Sequence, residues 1–314
     1  MTEVLALRAL GLGDLLASVP ALRGLRRAWP GARLVLAAPA ALGGWLVSQG
    51  VADGVVAVRG LDDGGVLVAR AGAPDVVVNL HGRGPQSLQL LARVPTDRVV
   101  AYACPEAGRD DGPTWRSDEH EVDRWIRLSQ WAGGAATPED LRLPSPGDRA
   151  DHVVLHPGAA AVSRQWPVER WAAVAHALVS DGHRVVVTGT AGESTLTAGV
   201  TAAVPGAEDA CGRYDLSALA ELVGTAALVL SGDTGVAHLA TAFGTPSVTL
   251  FGPVSPRLWG PRIDAHLHRV LWHGGSVDPA PGDPHAGTPD PRLLSIELPE
   301  VVDAARGLLG AACR

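Results

Sequence analysis

The stretch Val229-Leu230-Ser231-Gly232-Asp233-Thr234-Gly235-Val236-Ala237-His238-Leu239-Ala240 reads as a buried strand, a glycine-containing turn and the start of a helix that runs on through Phe243. A strand that enters a helix through such a turn leaves the first helical amides free. That arrangement suits an anion held by N–H groups and the helix dipole. The same residues also admit a plainer reading, a capped helix with Asp233 or Thr234 as cap and His238 packed in the core. Upstream, the pattern repeats, with strands at Val153–His156 and Arg184–Thr188 and helices at Val168–Ser180, Glu193–Ala203 and Leu216–Thr225. Downstream, Ser247–Phe251 is a further strand. An earlier series has strands at Val4–Leu7, Arg33–Ala37, Val55–Val58, Val76–Leu80 and Val99–Ala101, with helices at Leu15–Ala28, Pro39–Gln49, Gln86–Ala92 and Val122–Trp131. Alternation of this kind implies parallel sheets with helices on both faces.

Gly133–Arg149, rich in Gly, Pro and Asp, reads as a linker between two Rossmann-like domains, 1–148 and 149–314. Beyond them lie a Pro/Gly/Asp/His loop, His273–Pro291, and a last helix near Pro299–Leu309, for which a return to the first domain is open. Ligands are expected beyond the carboxyl ends of the strands, in a cleft between the domains. The 314 residues are 46% hydrophobic and 19% charged, which excludes a disordered chain. A net charge of −7, with neither half basic, excludes nucleic acid held mainly through phosphates. Every basic side chain is Arg. The cysteines, Cys104, Cys211 and Cys313, are far apart, which supports neither a disulfide framework nor a zinc site and fits a reducing cytoplasm. Met1–Leu7 reads as a strand rather than a secretion signal. The uncharged run Leu34–Ala52 is broken by Pro39, Gly43, Gly44 and Gly50, so it reads as strand, turn and helix rather than a membrane span.

In the first βα turn, Leu10-Gly11-Leu12-Gly13-Asp14-Leu15-Leu16, Leu16 stands where a dinucleotide fingerprint has its third glycine, and the second strand ends at Ala37-Ala38-Pro39 without an acid for a ribose. Both features count against an NAD-dependent enzyme such as an epimerase, and no cofactor is expected. Asp14 is either a helix cap or a general base at a strand's carboxyl end. The loop His156-Pro157-Gly158…Ser163-Arg164-Gln165-Trp166-Pro167 carries one cation, which either neutralises a diphosphate or is a solvated charge. With no DxD triplet and no Cys/His cluster, no metal site is expected, and His266-Leu267-His268 reads as exposed strand or loop.

Taken together these residues resemble glycosyltransferase family 9, the bacterial heptosyltransferases. The resemblance runs through Arg8–Pro20, Asn79–Gly82, His120–Arg124, the Gly158–Pro167 loop, Gly189–Glu193, and Asp233–Ala240 with Phe251-Gly252-Pro253. It implies a GT-B fold, two Rossmann-like domains facing each other, and inverting transfer of a sugar from a nucleoside diphosphate without a metal. By resemblance Asp14 is the catalytic base, Arg164 with Asp233-Thr234-Gly235 meets the diphosphate, and Glu193 contacts the ribose. Gly13, Gly158 and His238 complete the donor-binding set. ADP-heptose is the implied donor, and a glycan or small molecule the acceptor. Departures from the family are Arg164 where Lys is common, Ala159-Ala160-Ala161 where hydroxyl residues often follow the Pro-Gly step, and a His273–Pro291 stretch without cysteine. A non-catalytic nucleotide-sugar-binding protein is the remaining alternative.

Overall fold

The computed structural model describes residues 2–275 and 282–312; residues 276–281 of the His273–Pro291 stretch, and Cys313, lie outside the described residues. The chain divides into two units, Met1–Leu143 and Pro144–Arg314. In the first, the elements run β1 (Glu3–Leu7), α1 (Leu12–Ala17), α2 (Val19–Ala28), β2 (Arg33–Ala38), α3 (Ala40–Ser48), β3 (Gly54–Ala57), α4 (Gly64–Arg70), β4 (Val76–Asn79), α5 (Pro85–Leu91), β5 (Arg98–Val100) and α6 (Glu121–Trp131). The second contains β6 (His152–His156), α7 (Val168–Ser180), β7 (Arg184–Val187), α8 (Ser194–Ala202), β8 (Glu208–Asp209), α9 (Leu216–Thr225), β9 (Leu228–Gly232), α10 (Gly235–Phe243), β10 (Ser247–Leu250), α11 (Pro256–Trp259), β11 (His268–Leu271), α12 (Pro291–Leu294) and α13 (Leu298–Ala312).

The sheets are parallel, in the orders β3-β2-β1-β4-β5 and β11-β10-β9-β6-β7-β8. Each begins at a central strand, grows to one side, then returns to that strand's free edge. Connections therefore leave in opposite directions at β1/β4 and at β6/β9, and a crevice opens at the carboxyl ends there. Strands buried on both faces need continuous apolar runs, and Val153, Val154 and Leu155 in β6 are fully buried, as are Leu5, Ala6 and Leu7 in β1. This is the α/β architecture of two Rossmann-like units expected from the sequence.

Local departures have physical causes. The Leu15–Ala28 helix is two helices, α1 and α2, that meet at Ser18, because Pro20 has no N–H to give the carbonyl four residues back. Helix α4, which begins with two glycines, was not expected. Gly64 lies so close to α5 that a Cβ there would sit 2.6 Å from Leu90 Cδ1. Much of the Gly133–Arg149 stretch is anchored rather than loose. Arg23 donates to the carbonyls of Asp140 and Arg142, both at 2.6 Å, and Arg149 donates to the carbonyls of Gly224, Ala226 and Gly244. The last helix, α13, packs in the second unit's own core through Val301, Ala305 and Leu308, against residues of α7, β9 and β10. Among the described residues no helix is long and apolar enough to cross a membrane.

His268, expected on an exposed strand or loop, is buried at the start of β11 with Nδ1 2.8 Å from Ser247 Oγ. Burial lowers its pKa to about 4, against a weaker opposing effect of Asp264. The unfolded chain takes up this proton near pH 6.5, so the stability from neutral His268 is present above that pH and is lost as pH falls towards 4. Melting followed from pH 7 to 4 is expected to show Tm falling. His268→Asn, which keeps a partner for Ser247 without a titrating ring, should fall less steeply.

Candidate functional site

At the β1/β4 switch point the chain leaves β1 through Arg8, whose side chain is 1% exposed. An ionised group so deeply buried needs its hydrogen bonds met. Arg8 Nη1 donates to the carbonyl of Leu80 at 2.5 Å, and Nε donates to the carbonyl of Asp14 at 3.0 Å. Nη2 is shared between two carboxylates, Glu121 Oε1 at 2.9 Å and Asp14 Oδ1 at 3.3 Å. The guanidinium also lies over the Trp125 ring, 4.7 Å from its centroid. Glu121, on the first turn of α6, accepts in addition from Trp125 Nε1 at 2.7 Å and from Arg124 Nη1.

Asp14 is not the cap of its helix. Gly11 occupies the N-cap position of α1, and Asp14 lies in the first turn with its carboxylate on Arg8. Its side chain is 35% exposed, so it reaches solvent from a buried cation. Gly13 precedes it in the same turn and thus belongs to the first unit's site. His81 stands in the loop after β4, where the Asn79 side chain bonds the backbone of His81 and Gly82. Burial and, secondarily, the Arg8 charge lower the His81 pKa to about 4, which leaves a neutral ring beside the cluster.

In the second unit the β6/β9 switch point gathers most of the expected donor residues. Arg164 ends a short turn of 3₁₀ helix, Val162–Arg164, and its Nη1 lies 3.7 Å from Asp233 Oδ2. Thr234 is the N-cap of α10 but makes no side-chain cap bond, and Gly235 is the helix's first residue. Arg164 Nε and Thr234 Oγ1 are both buried without a hydrogen-bond partner among the described residues. His238, one turn further along α10, is partly exposed and meets Trp259 edge-on at 5.9 Å rather than packing in the core.

Glu193 closes a capping box with Thr190, accepting from its amide at 2.7 Å and its hydroxyl at 2.9 Å. Beside it a cavity of about 290 Å³ opens, lined by His156, Thr188, Gly189, Thr190, Gly212 and Tyr214 among others. His156 Nδ1 is 3.0 Å from Thr188 Oγ1, and full burial pushes its pKa down, so it offers a neutral ring. The sequence reading did not single out Arg8, His81, Glu121 or the His156/Thr188 pair for a role. A charged residue directly after an apolar strand, as at Arg8, was the available signal. Among the described residues no group of His, Cys, Asp or Glu is arranged to hold a metal ion.

Two parallel Rossmann-like sheets, each with charged and polar groups at its switch point, make up the GT-B type of architecture. The family model for glycosyltransferase family 9 (heptosyltransferase) matches residues 120–273. Lipopolysaccharide heptosyltransferase 2 of Escherichia coli is 30% identical over 176 residues, 48% of this chain and 50% of that protein. The chain thus matches about half the length of the curated relatives. The solved E. coli ADP-heptose LPS heptosyltransferase II superposes with a TM-score of 0.80 at 19% identity over all of both chains. E. coli heptosyltransferase WaaC, solved with ADP, gives 0.74 at 19% identity over 98% of this chain and 100% of that one. The chain thus has the GT-B fold of these solved structures, and over residues 120–273 it is similar to glycosyltransferase family 9.

Gly158 is where the second site is tightest. A Cβ there would fall 2.1 Å from Glu193 Oε1 and 2.4 Å from its Cδ. Gly158→Ala is expected to push the Glu193 carboxylate off Thr190 and cost about 0.5–2 kcal/mol, the range for losing a cap. Denaturant unfolding of Gly158→Ala beside Glu193→Ala measures this, and the double variant should cost no more than Glu193→Ala alone.

Proposed function

We propose that this chain is an inverting, metal-independent glycosyltransferase that moves heptose from ADP-heptose to a hydroxyl of a glycan or small-molecule acceptor. The observation that carries the reading is the carboxyl edge of β7, β6 and β9. It gathers a cavity of about 290 Å³ beside Glu193, an arginine whose Nε has no partner among the described residues, and the N-terminus of α10. The cavity takes the nucleoside and Glu193 the ribose hydroxyls. Gly158 lets the ligand backbone come close, and Arg164 with Thr234 and the Gly235 turn receives the diphosphate. His238 lies one turn further along the same helix, against Trp259. That the solved WaaC structure holds ADP supports ADP as the nucleotide.

Transfer to a hydroxyl requires that its proton leave as the new bond forms, and a placed carboxylate supplies a factor of about 10²–10⁴. Asp14, partly exposed at the end of β1, takes that proton. The sugar's bond to the diphosphate breaks as the acceptor oxygen attacks from the opposite face, which inverts the anomeric centre. Charge growing on the leaving diphosphate is met by Arg164 and the α10 amides. A cytoplasmic location is consistent with the free Cys104 and Cys211.

Arg164→Ala should weaken ADP binding by about 1.5–3 kcal/mol, the worth of hydrogen bonds to a charged group. Isothermal titration with ADP measures this, and unchanged affinity would remove Arg164 from the diphosphate site.

ADP release from ADP-heptose should persist after exhaustive chelation, whereas Asp14→Asn should retain less than about a tenth of wild-type turnover while still binding ADP. Activity lost with EDTA and restored by Mg²⁺ would instead make Asp233 a metal ligand.

A further inference from the structure

His156 ends β6 in the wall of the cavity of about 290 Å³, and no step of the transfer uses it. The residue is only 8% exposed, and its Nδ1 is turned to the Thr188 hydroxyl, 3.0 Å away, just after β7. Nε2 is then the polar atom of the ring that remains for a ligand in the cavity. Burial outweighs the Glu193 charge and keeps the ring neutral, so what it offers is a hydrogen bond rather than a charge. Glu193 uses one oxygen, Oε2, for both bonds of its capping box. Its other oxygen, Oε1, would lie 2.1 Å from a Cβ on Gly158, so it stands against the backbone two residues beyond His156.

Strand order decides which part of a nucleoside diphosphate meets these two groups. From β9 through β6 and β7 to β8, the carboxyl edge carries Thr234, then His156 and Arg164, then Thr188 to Glu193, then Ala210, Gly212 and Tyr214. With the diphosphate at Arg164 and α10, and a flat base against the far wall of Ala210, Gly212 and Tyr214, the ribose falls between them, over β6 and β7. A ribose carries two neighbouring hydroxyls, each able to donate and to accept. One donates to Glu193 Oε1, which as a carboxylate oxygen can only accept. The other suits Nε2 in either tautomer that the Thr188 bond selects. We infer that His156 binds a ribose hydroxyl and, with Glu193, makes the site selective for ribonucleoside over deoxyribonucleoside diphosphates, an inference that rests on the nucleoside reading of the cavity. A deoxy nucleotide would leave one of these groups without its partner in a closed site, which is how a polar pocket rejects a substrate lacking a hydroxyl.

The test is isothermal titration of the full chain with ADP, 2′-deoxy-ADP, 3′-deoxy-ADP and inorganic pyrophosphate. The wild type should prefer ADP to each deoxy analogue. His156→Asn sets an amide where Nδ1 was, which keeps a partner for Thr188, and leaves nothing at the Nε2 position. It should bind ADP about two- to tenfold more weakly, the worth of one neutral hydrogen bond. It should also lose the preference for ADP over one analogue and keep the preference over the other, which belongs to Glu193. His156→Gln, whose amide reaches the Nε2 position, should recover the lost preference. A role confined to packing would instead lower Tm and weaken ADP and both analogues by the same factor. Unchanged preferences in folded His156→Asn, or a wild type with none, overturn the inference. Should His156→Asn fail to fold, ¹⁵N NMR of the wild-type ring decides: ADP should move the His156 Nε2 signal and pyrophosphate should not, and a signal that ADP leaves in place overturns the inference. A wild type that binds ADP no better than pyrophosphate removes the nucleoside reading itself, and the inference with it.

Discussion

A parallel sheet buried on both faces constrains everything else in this chain. Each strand must be followed by a crossover that returns over the sheet, so polar groups that reach solvent collect in the loops and first helical turns at the carboxyl edge. Where the order of strands reverses, as between β1 and β4 and between β6 and β9, neighbouring loops part and leave room for a ligand. Arg8 and Asp14 follow β1, and His81 follows β4. Gly158 and Arg164 follow β6, and Asp233 and Thr234 follow β9. The chemistry of both units is thus placed by strand order, with helices serving mainly to cover the faces.

The two switch points solve opposite electrostatic problems. In the first unit the charges are balanced internally, with arginine and carboxylate bonded to each other and covered by Trp115, Trp125 and Tyr102. Such a site has little capacity left for an anion. In the second unit Arg164 and Asp233 stand 3.7 Å apart, and the buried Arg164 Nε has no hydrogen-bond partner among the described residues.

Much of this was legible in the sequence. Apolar runs such as Val153–Leu155 and Val76–Val78 can only be interior strands, and the glycine turns at Gly11 and Gly232 mark where helices begin. Asp14, Arg164 and Asp233 could be singled out in the sequence because charged side chains in the connections that follow buried strands stand at the carboxyl edge of a parallel sheet. Glu121 could not, because its partner Arg8 is 113 residues away in sequence, and on a helical wheel it is one more acid in a first turn. His268 was misread for a similar reason. Its neighbours Asp264 and His266 look like surface, while the Ser247 that buries it lies on another strand. Helix α4 was hidden by glycines, which weaken a helix in isolation but here permit contact with Leu90.

The Arg8–Glu121 bond also bears on how the first unit completes its charge cluster. It joins residues 113 positions apart, among the longest sequence separations in the first unit. During synthesis β1 and α1 emerge, and can pair with β2, long before the residues that complete the charge cluster exist. Until α6 docks, Arg8 has only Asp14 to pair with, and the loop-closure entropy of that docking falls late in folding. The charge cluster is therefore a report on the completeness of the whole unit, and a truncated or half-folded chain would carry Asp14 and Arg8 without the partner on α6.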